Sequence, residues 1–201
     1  MIKSFTTAFA VLLLAGMPTM ATAADISAGA DSDYLFRGVS QTDGGMSAWA
    51  DVNHMFGDSG IMIGAWLGQV DYADGSDLET DLYAGWSNGD WAVGYIDYSY
   101  NGDADLDGSE IFVSKEVMGV AVSYYLGQDD YTDYLELGYS KWGFDFGYGM
   151  WDEVGDNWSV SRSIDLPMGL EGAVNYHSFM ADDGSMMADE DSFVFSMSKS
   201  F

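Results

Sequence analysis

The chain has 201 residues, 48% of them hydrophobic and 15% aromatic, with 33 acidic side chains against 6 basic ones and a formal net charge of −27. One ordinary domain fits that length, and the hydrophobic content excludes a disordered chain. Phosphate recognition needs a basic face, so the charge excludes nucleic acid as a partner, and the lack of cysteine excludes disulfides, thiolate metal sites and thiol nucleophiles.

The N-terminus reads as a targeting segment. Lys3 precedes an apolar run from Phe5 to Ala15, and Ala21-Thr22-Ala23 fits a small-residue cleavage site. The run is roughly a dozen residues, short of the ~20 that span a bilayer. Residues 1–23 are therefore predicted to be a cleaved signal peptide, and residues 24–201 a single domain.

From Asp25 onward, apolar and polar residues alternate between Gly/Asp/Asn clusters, the period of β-strands. Twelve strands are predicted, at 25–38, 46–56, 61–71, 78–87, 91–100, 109–116, 120–127, 131–140, 144–151, 157–165, 170–179 and 192–201. Links after the even strands are short (Gly57–Gly60, Asn88–Asp90, Val117–Gly119, Lys141–Gly143, Leu166–Gly169). Links after the odd strands are mostly longer and acidic, and hold about half of the carboxylates. An even strand number, with short turns at one end and longer loops at the other, predicts an all-β, antiparallel transmembrane β-barrel of the bacterial outer membrane. The last strand sets Phe193, Phe195, Met197 and Phe201 on one face, and ends the chain on Phe201. That pattern looks like the signal read by the barrel-assembly machinery. Lys199 falls on the same face, where its stem can snorkel to the periplasmic interface.

The segment Asp31-Ser32-Asp33-Tyr34-Leu35-Phe36-Arg37-Gly38-Val39-Ser40-Gln41-Thr42 resembles the opening motif of the TorF family, signal-bearing proteins of Gram-negative bacteria. Trp49, the Gly60–Trp66 strand, the terminal Phe and the mature length are compatible with that family. The resemblance implies a porin and brings no catalytic residues with it.

With apolar faces turned to lipid, the opposite faces line a lumen. On the first strand Ile26, Ala28, Ala30, Tyr34 and Phe36 are expected outside, and Asp31, Asp33 and Arg37 inside. Asp51, Glu79, Asp81, Glu110, Glu136, Asp145 and Glu171 are likewise expected inside, because a carboxylate facing lipid at mid-depth costs a few kcal/mol. The strands at 61–71 and 91–100 are apolar on both faces and give no assignment. A ring of carboxylates attracts cations, so one expected function is a small cation-preferring diffusion channel with Arg37 paired to neighbouring acids. The other is a non-conducting barrel, plugged by these groups, whose acidic loops bind divalent cations or surface partners.

Asp103, Asp105 and Asp107 with Gly108 match the opening of a calcium loop, but its twelfth position is Ser114 and no helices flank it. A solvated acidic loop is the expectation, and no metal site is assigned. Ca²⁺ or Mg²⁺ bridging the acidic loops to lipopolysaccharide phosphates is the collective alternative. Asn175, His177 and Ser178 cluster on one strand without a G-x-S-x-G elbow or partner acid, so no catalytic residue, enzymatic activity or cofactor is expected. Trp66, Trp86, Trp91, Tyr98, Tyr124, Tyr139 and Trp158 are expected in interfacial girdles. The partners implied are outer-membrane lipid and lipopolysaccharide, the assembly machinery, and small solutes or cations.

Overall fold

The alternation that runs through the chain folds it into a closed antiparallel barrel of twelve strands. The computed structural model describes residues 24–73, 75–102 and 106–201; the predicted signal peptide lies outside them. The wall is formed by β1 (Asp25–Asp31), β4 (Ser47–Met55), β5 (Ile61–Gln69), β6 (Leu78–Ser87), β7 (Trp91–Tyr100), β8 (Gly108–Val117), β9 (Val120–Gln128), β10 (Tyr134–Lys141), β11 (Phe144–Trp151), β12 (Gly155–Leu166), β13 (Leu170–Ala181) and β14 (Glu190–Ser200). Each strand pairs with its neighbour in sequence, and β1 closes the ring on β14 with Ser27 opposite Ser200 and Asp31 opposite Ser196. All links after β4, β6, β8, β10 and β12 emerge at one end and are short. The others emerge opposite.

Three predicted strands, at 78–87, 91–100 and 144–151, match the structure to the residue, and the remainder of the wall shifts by up to three residues at either end. The exception is the first. It was expected to run from 25 to 38, but the wall strand ends at Asp31. The chain then turns into the barrel and forms a two-stranded hairpin of β2 (Leu35–Phe36) and β3 (Val39–Ser40), with Arg37-Gly38 at its tip. Both tip residues have positive φ, 52° and 87°, the pattern of a two-residue turn whose twist suits a hairpin. Tyr34 accepts a backbone hydrogen bond from Gln41 at 2.7 Å below it.

The interior is uneven around the ring. Met62, Tyr83, Ala92, Ile96, Tyr98, Phe112, Tyr125 and Tyr134 pack as an apolar cluster on the side from β5 to β10. Glycines opposite the large rings make room for them: a Cβ on Gly94 would lie 2.5 Å from Phe112, and one on Gly64 2.2 Å from Tyr83. From β10 round to β1 many inward positions are small or hydroxylated, among them Gly138, Gly147, Ser159, Ser161, Ala173, Ser196 and Ser198, with Trp151, Phe179 and Val194 as larger side chains between them. The two strands without an assignment are settled by the ladder. Asp51, Trp66, Asp81 and Tyr98 are cross-strand partners in one row, so even-numbered residues of β5 and β7 face inward.

Candidate functional site in the barrel interior

The wall residues Asp31, Asp51, Glu79, Asp81, Glu110 and Glu136 all face the interior. Asp33 and Arg37 also lie inside, but on the hairpin and its stem rather than on a wall strand. The reason is local. At Asp31 the wall ladder to β14 ends, and the Leu-Phe-Arg-Gly-Val-Ser segment carries its own turn and its own pairing.

Several carboxylates are held by phenols. Tyr83 donates to Asp51 at 2.8 Å, Tyr100 to Glu79 at 2.8 Å and Tyr98 to Glu110 at 2.9 Å. Asn53 completes Asp51 at 2.9 Å. Phenols satisfy lone pairs without neutralising charge, so these contacts leave the interior electronegative.

The hairpin tip supplies the counter-charge. Arg37 Nη2 meets both oxygens of Glu110, at 2.6 and 2.7 Å. The two side chains are 4% and 0% exposed, and theirs is the single ion pair among the described residues. The guanidinium sits in a box of rings, 4.1 Å from the centre of Tyr134, 4.7 Å from Phe36, 5.1 Å from Trp151 and 5.3 Å from Tyr125. Such contacts gain strength away from water. Phe36, expected to face lipid, instead packs edge-on against Tyr98 and Trp151. Tyr34, also expected outside, lies 5.3 Å from Trp66 within the barrel.

The stem is tied to the rest of the ring. Asp33 accepts from Ser40 at 2.7 Å and from Thr42 at 2.8 Å. Gln41 takes a hydrogen bond from the Tyr72 hydroxyl, and its carbonyl accepts from Asp71 N at 2.8 Å. On the far side Ser40 N donates to Glu190 at 3.4 Å, and Gly38 sits so close to Asn157 that an added Cβ would lie 2.9 Å from it. The hairpin therefore bears on wall strands around most of the circumference, at the end with long links.

Other expectations are redistributed. Trp66 and Tyr98 point inward and leave the girdle, whereas Trp86, Trp91, Tyr124, Tyr139 and Trp158 are exposed outside. Tyr131, first residue of the strand expected at 131–140, precedes β10 and stacks at 5.7 Å on the inward Tyr98. Asp97 is an outward-facing carboxylate of β7, next to the Tyr95 hydroxyl at 3.3 Å. Asn175 and His177 face inward while Ser178 is on the opposite face, so the three do not form one cluster. Asp145 and Glu171 face the interior near the short-turn end, where Asp145 accepts from Ser140. Asp103 and Asp105 lie outside the described residues, and Asp107 accepts from Tyr100 N at 2.8 Å. Phe193, Phe195, Met197 and Phe201 project from the outer face, and Lys199 projects with them.

The residues missed by sequence reasoning are the partners of Arg37: Tyr125, Tyr134 and Trp151 on three different strands. A signal for the hairpin itself was present, since Arg37-Gly38 between Phe36 and Val39 has the X-Gly form of a tight β-turn. No protein-family model matches the chain, and no curated protein matches it.

Proposed function

We propose that the protein is an outer-membrane, porin-like channel for small solutes with a preference for cations, closed over its outer half by the β2–β3 hairpin in the conformation described. The observation that carries this reading is the charge of the interior. The wall carboxylates Asp31, Asp51, Glu79, Asp81, Glu110, Glu136, Asp145 and Glu171 face it, and its one cation, Arg37, resides on a hairpin rather than on the wall. Movement of the hairpin toward the long-link end uncovers a path whose fixed charge is negative, which favours cations over anions. The resemblance of residues 31–42 to the TorF opening motif supports the same reading, and those residues are the ones that build the hairpin and its stem. The apolar exterior and the short turns at one end support insertion by the barrel-assembly machinery, with lipid and lipopolysaccharide as surroundings.

A second reading has its own support. The burial of Arg37 and Glu110 is what a permanent plug requires, and it favours a non-conducting barrel that acts through its acidic outer links. Planar-bilayer recordings of the refolded protein separate the two. Conductance steps that become more frequent in Glu110→Gln support the channel. Silence in both proteins, with boiled and unboiled samples migrating differently on a detergent gel, overturns the channel and leaves the plugged barrel.

A further inference from the structure

Apart from Lys3 in the predicted leader, the chain has five cations, and Arg37 is in the hairpin. The other four sit on the outer face toward the short-turn end of alternate strands: Lys115 on β8, Lys141 on β10, Arg162 on β12 and Lys199 on β14. Each lies over an aromatic ring: Lys115 at 4.4 Å from Trp91, Lys141 at 4.7 Å from Trp142, Arg162 at 5.2 Å from Phe144 and Lys199 at 5.4 Å from Phe201. Neighbouring strands are about 4.8 Å apart, so the cations recur roughly every 10 Å along half of the circumference.

The link beyond each cation strand ends in an exposed apolar residue. Met118 is 99% exposed, Trp142 81%, Met168 83% and the terminal Phe201 74%. The first three have positive φ, 55°, 57° and 67°, and each is followed by glycine. Asn-Gly or Asp-Gly is the favoured sequence for such a turn, because a bulky side chain is disfavoured in the left-handed region. Three large apolar residues thus occupy a conformation that does not suit them and stand largely exposed. On the other half of the rim, the links at Gly57–Gly60 and Asn88–Asp90 carry Asp58 and Asp90 and no cation.

We infer that this half-rim, from β8 to β14, is a docking surface for anionic phospholipid headgroups of the periplasmic leaflet. The four cations receive the phosphates, and Met118, Trp142, Met168 and Phe201 enter the boundary between headgroups and acyl chains. The inference rests on the outer-membrane reading above. Charge complementarity selects the lipid, since the remainder of the protein surface repels anions, and the tips continue the apolar exterior of the barrel. Basic residues close to an anionic surface and apolar residues at the acyl boundary are the combination that holds amphipathic elements at an interface.

The test uses the full-length mature protein refolded into vesicles. Quenching of its tryptophans by brominated phosphatidylglycerol and by brominated phosphatidylcholine gives the relative affinity for the two lipids. A preference of roughly fivefold for phosphatidylglycerol is expected at the rim sites. It should vanish in the variant Lys115→Gln/Lys141→Gln/Arg162→Gln/Lys199→Gln. The chain has no cysteine, so Met118→Cys takes one environment-sensitive dye, whose emission should shift to the blue in vesicles and be quenched by lipid. A second variant, Met118→Asn/Met168→Asn, puts at both positions a residue that tolerates the left-handed region and should fold at least as stably in detergent while losing lipid affinity. Equal affinity for both lipids, or a dye at position 118 that reports bulk water in an inserted, heat-modifiable barrel, overturns this inference and leaves the outer-membrane reading standing. Failure to insert into vesicles of either lipid overturns the outer-membrane reading itself.

Discussion

Glu110→Gln removes the charge that holds the hairpin tip and changes almost nothing else about its shape. In the wild type both carboxylate oxygens are occupied by Arg37 Nη2 at 2.6 and 2.7 Å, and one also by the Tyr98 hydroxyl. Both members of the pair are inaccessible to water, so their charges are not screened. Removing one partner of such a pair leaves the other uncompensated, at about 3–5 kcal/mol. The rings around the guanidinium remain, and recover only part of that. A net loss near 3 kcal/mol multiplies the unseated population about a hundredfold, since every 1.4 kcal/mol is a factor of ten. Hydrogen exchange at the hairpin amides 35–40 should accelerate by that factor in lipid or detergent, while β12 and β13 keep their protection. The double variant Arg37→Met/Glu110→Gln separates charge from shape. Methionine fills the ring box without a charge to satisfy, so exchange should return close to the wild-type rate, as expected when a buried ion pair is replaced by apolar groups. Exchange unchanged in Glu110→Gln, or a double variant as loose as the single one, would refute the latch.

Two further predictions follow from the interior and from one turn. Asp81→Asn/Glu136→Gln removes two inward carboxylates from opposite sides of the apolar cluster, and should reduce cation preference, read as a smaller reversal potential in a salt gradient; an unchanged potential means that permeating ions do not pass these groups. Gly60 closes the β4–β5 turn at φ 74°, and a Cβ there would lie 1.9 Å from the Ser87 carbonyl oxygen, so Gly60→Val should lower stability by more than the roughly 1–2 kcal/mol of a residue forced into the left-handed region. Urea unfolding in lipid vesicles measures it, and a loss below 0.5 kcal/mol, roughly that of an ordinary surface change, would show that the turn relaxes freely.

The wall of the barrel was legible because its rule is local. A lipid-facing residue must be apolar and its neighbour faces the other way, so Leu78–Ser87 and Phe144–Trp151 could be placed to the residue from alternation alone. The interior was legible only in part. Asp51, Glu79, Asp81, Glu110 and Glu136 followed from their unsuitability for lipid. Trp66 and Tyr98 did not, because a large ring suits an interface and a packed interior equally well. Tyr34 and Phe36 misled for the same reason: on the pattern of Ile26, Ala28 and Ala30 they continue the outward face, and nothing within the segment distinguishes lipid from the inside of the barrel. The partners of Arg37 come from β8, β9, β10 and β11, separations that no short-range pattern encodes.

What places the hairpin inside is a requirement of charge that can be stated for the whole molecule. Glu110 is fully buried, and its phenol partner Tyr98 does not compensate a formal charge. A cation beside a buried carboxylate offsets the cost of its charge, and Glu110 is the one that has it, whereas Glu79 is held by the Tyr100 phenol. Lys115, Lys141, Arg162 and Lys199 are on the outer face, where alternation puts them, and none can reach the interior without reversing a strand. Arg37 is the one remaining cation among the described residues. It is carried by a segment long enough to leave the wall after Asp31 and return at Ser47. Folding inward brings Arg37 onto Glu110 and packs Phe36 against Tyr98 and Trp151, so the scarcity of cations in this chain acts together with the turn carried by residues 35–40 to determine which link fills the barrel.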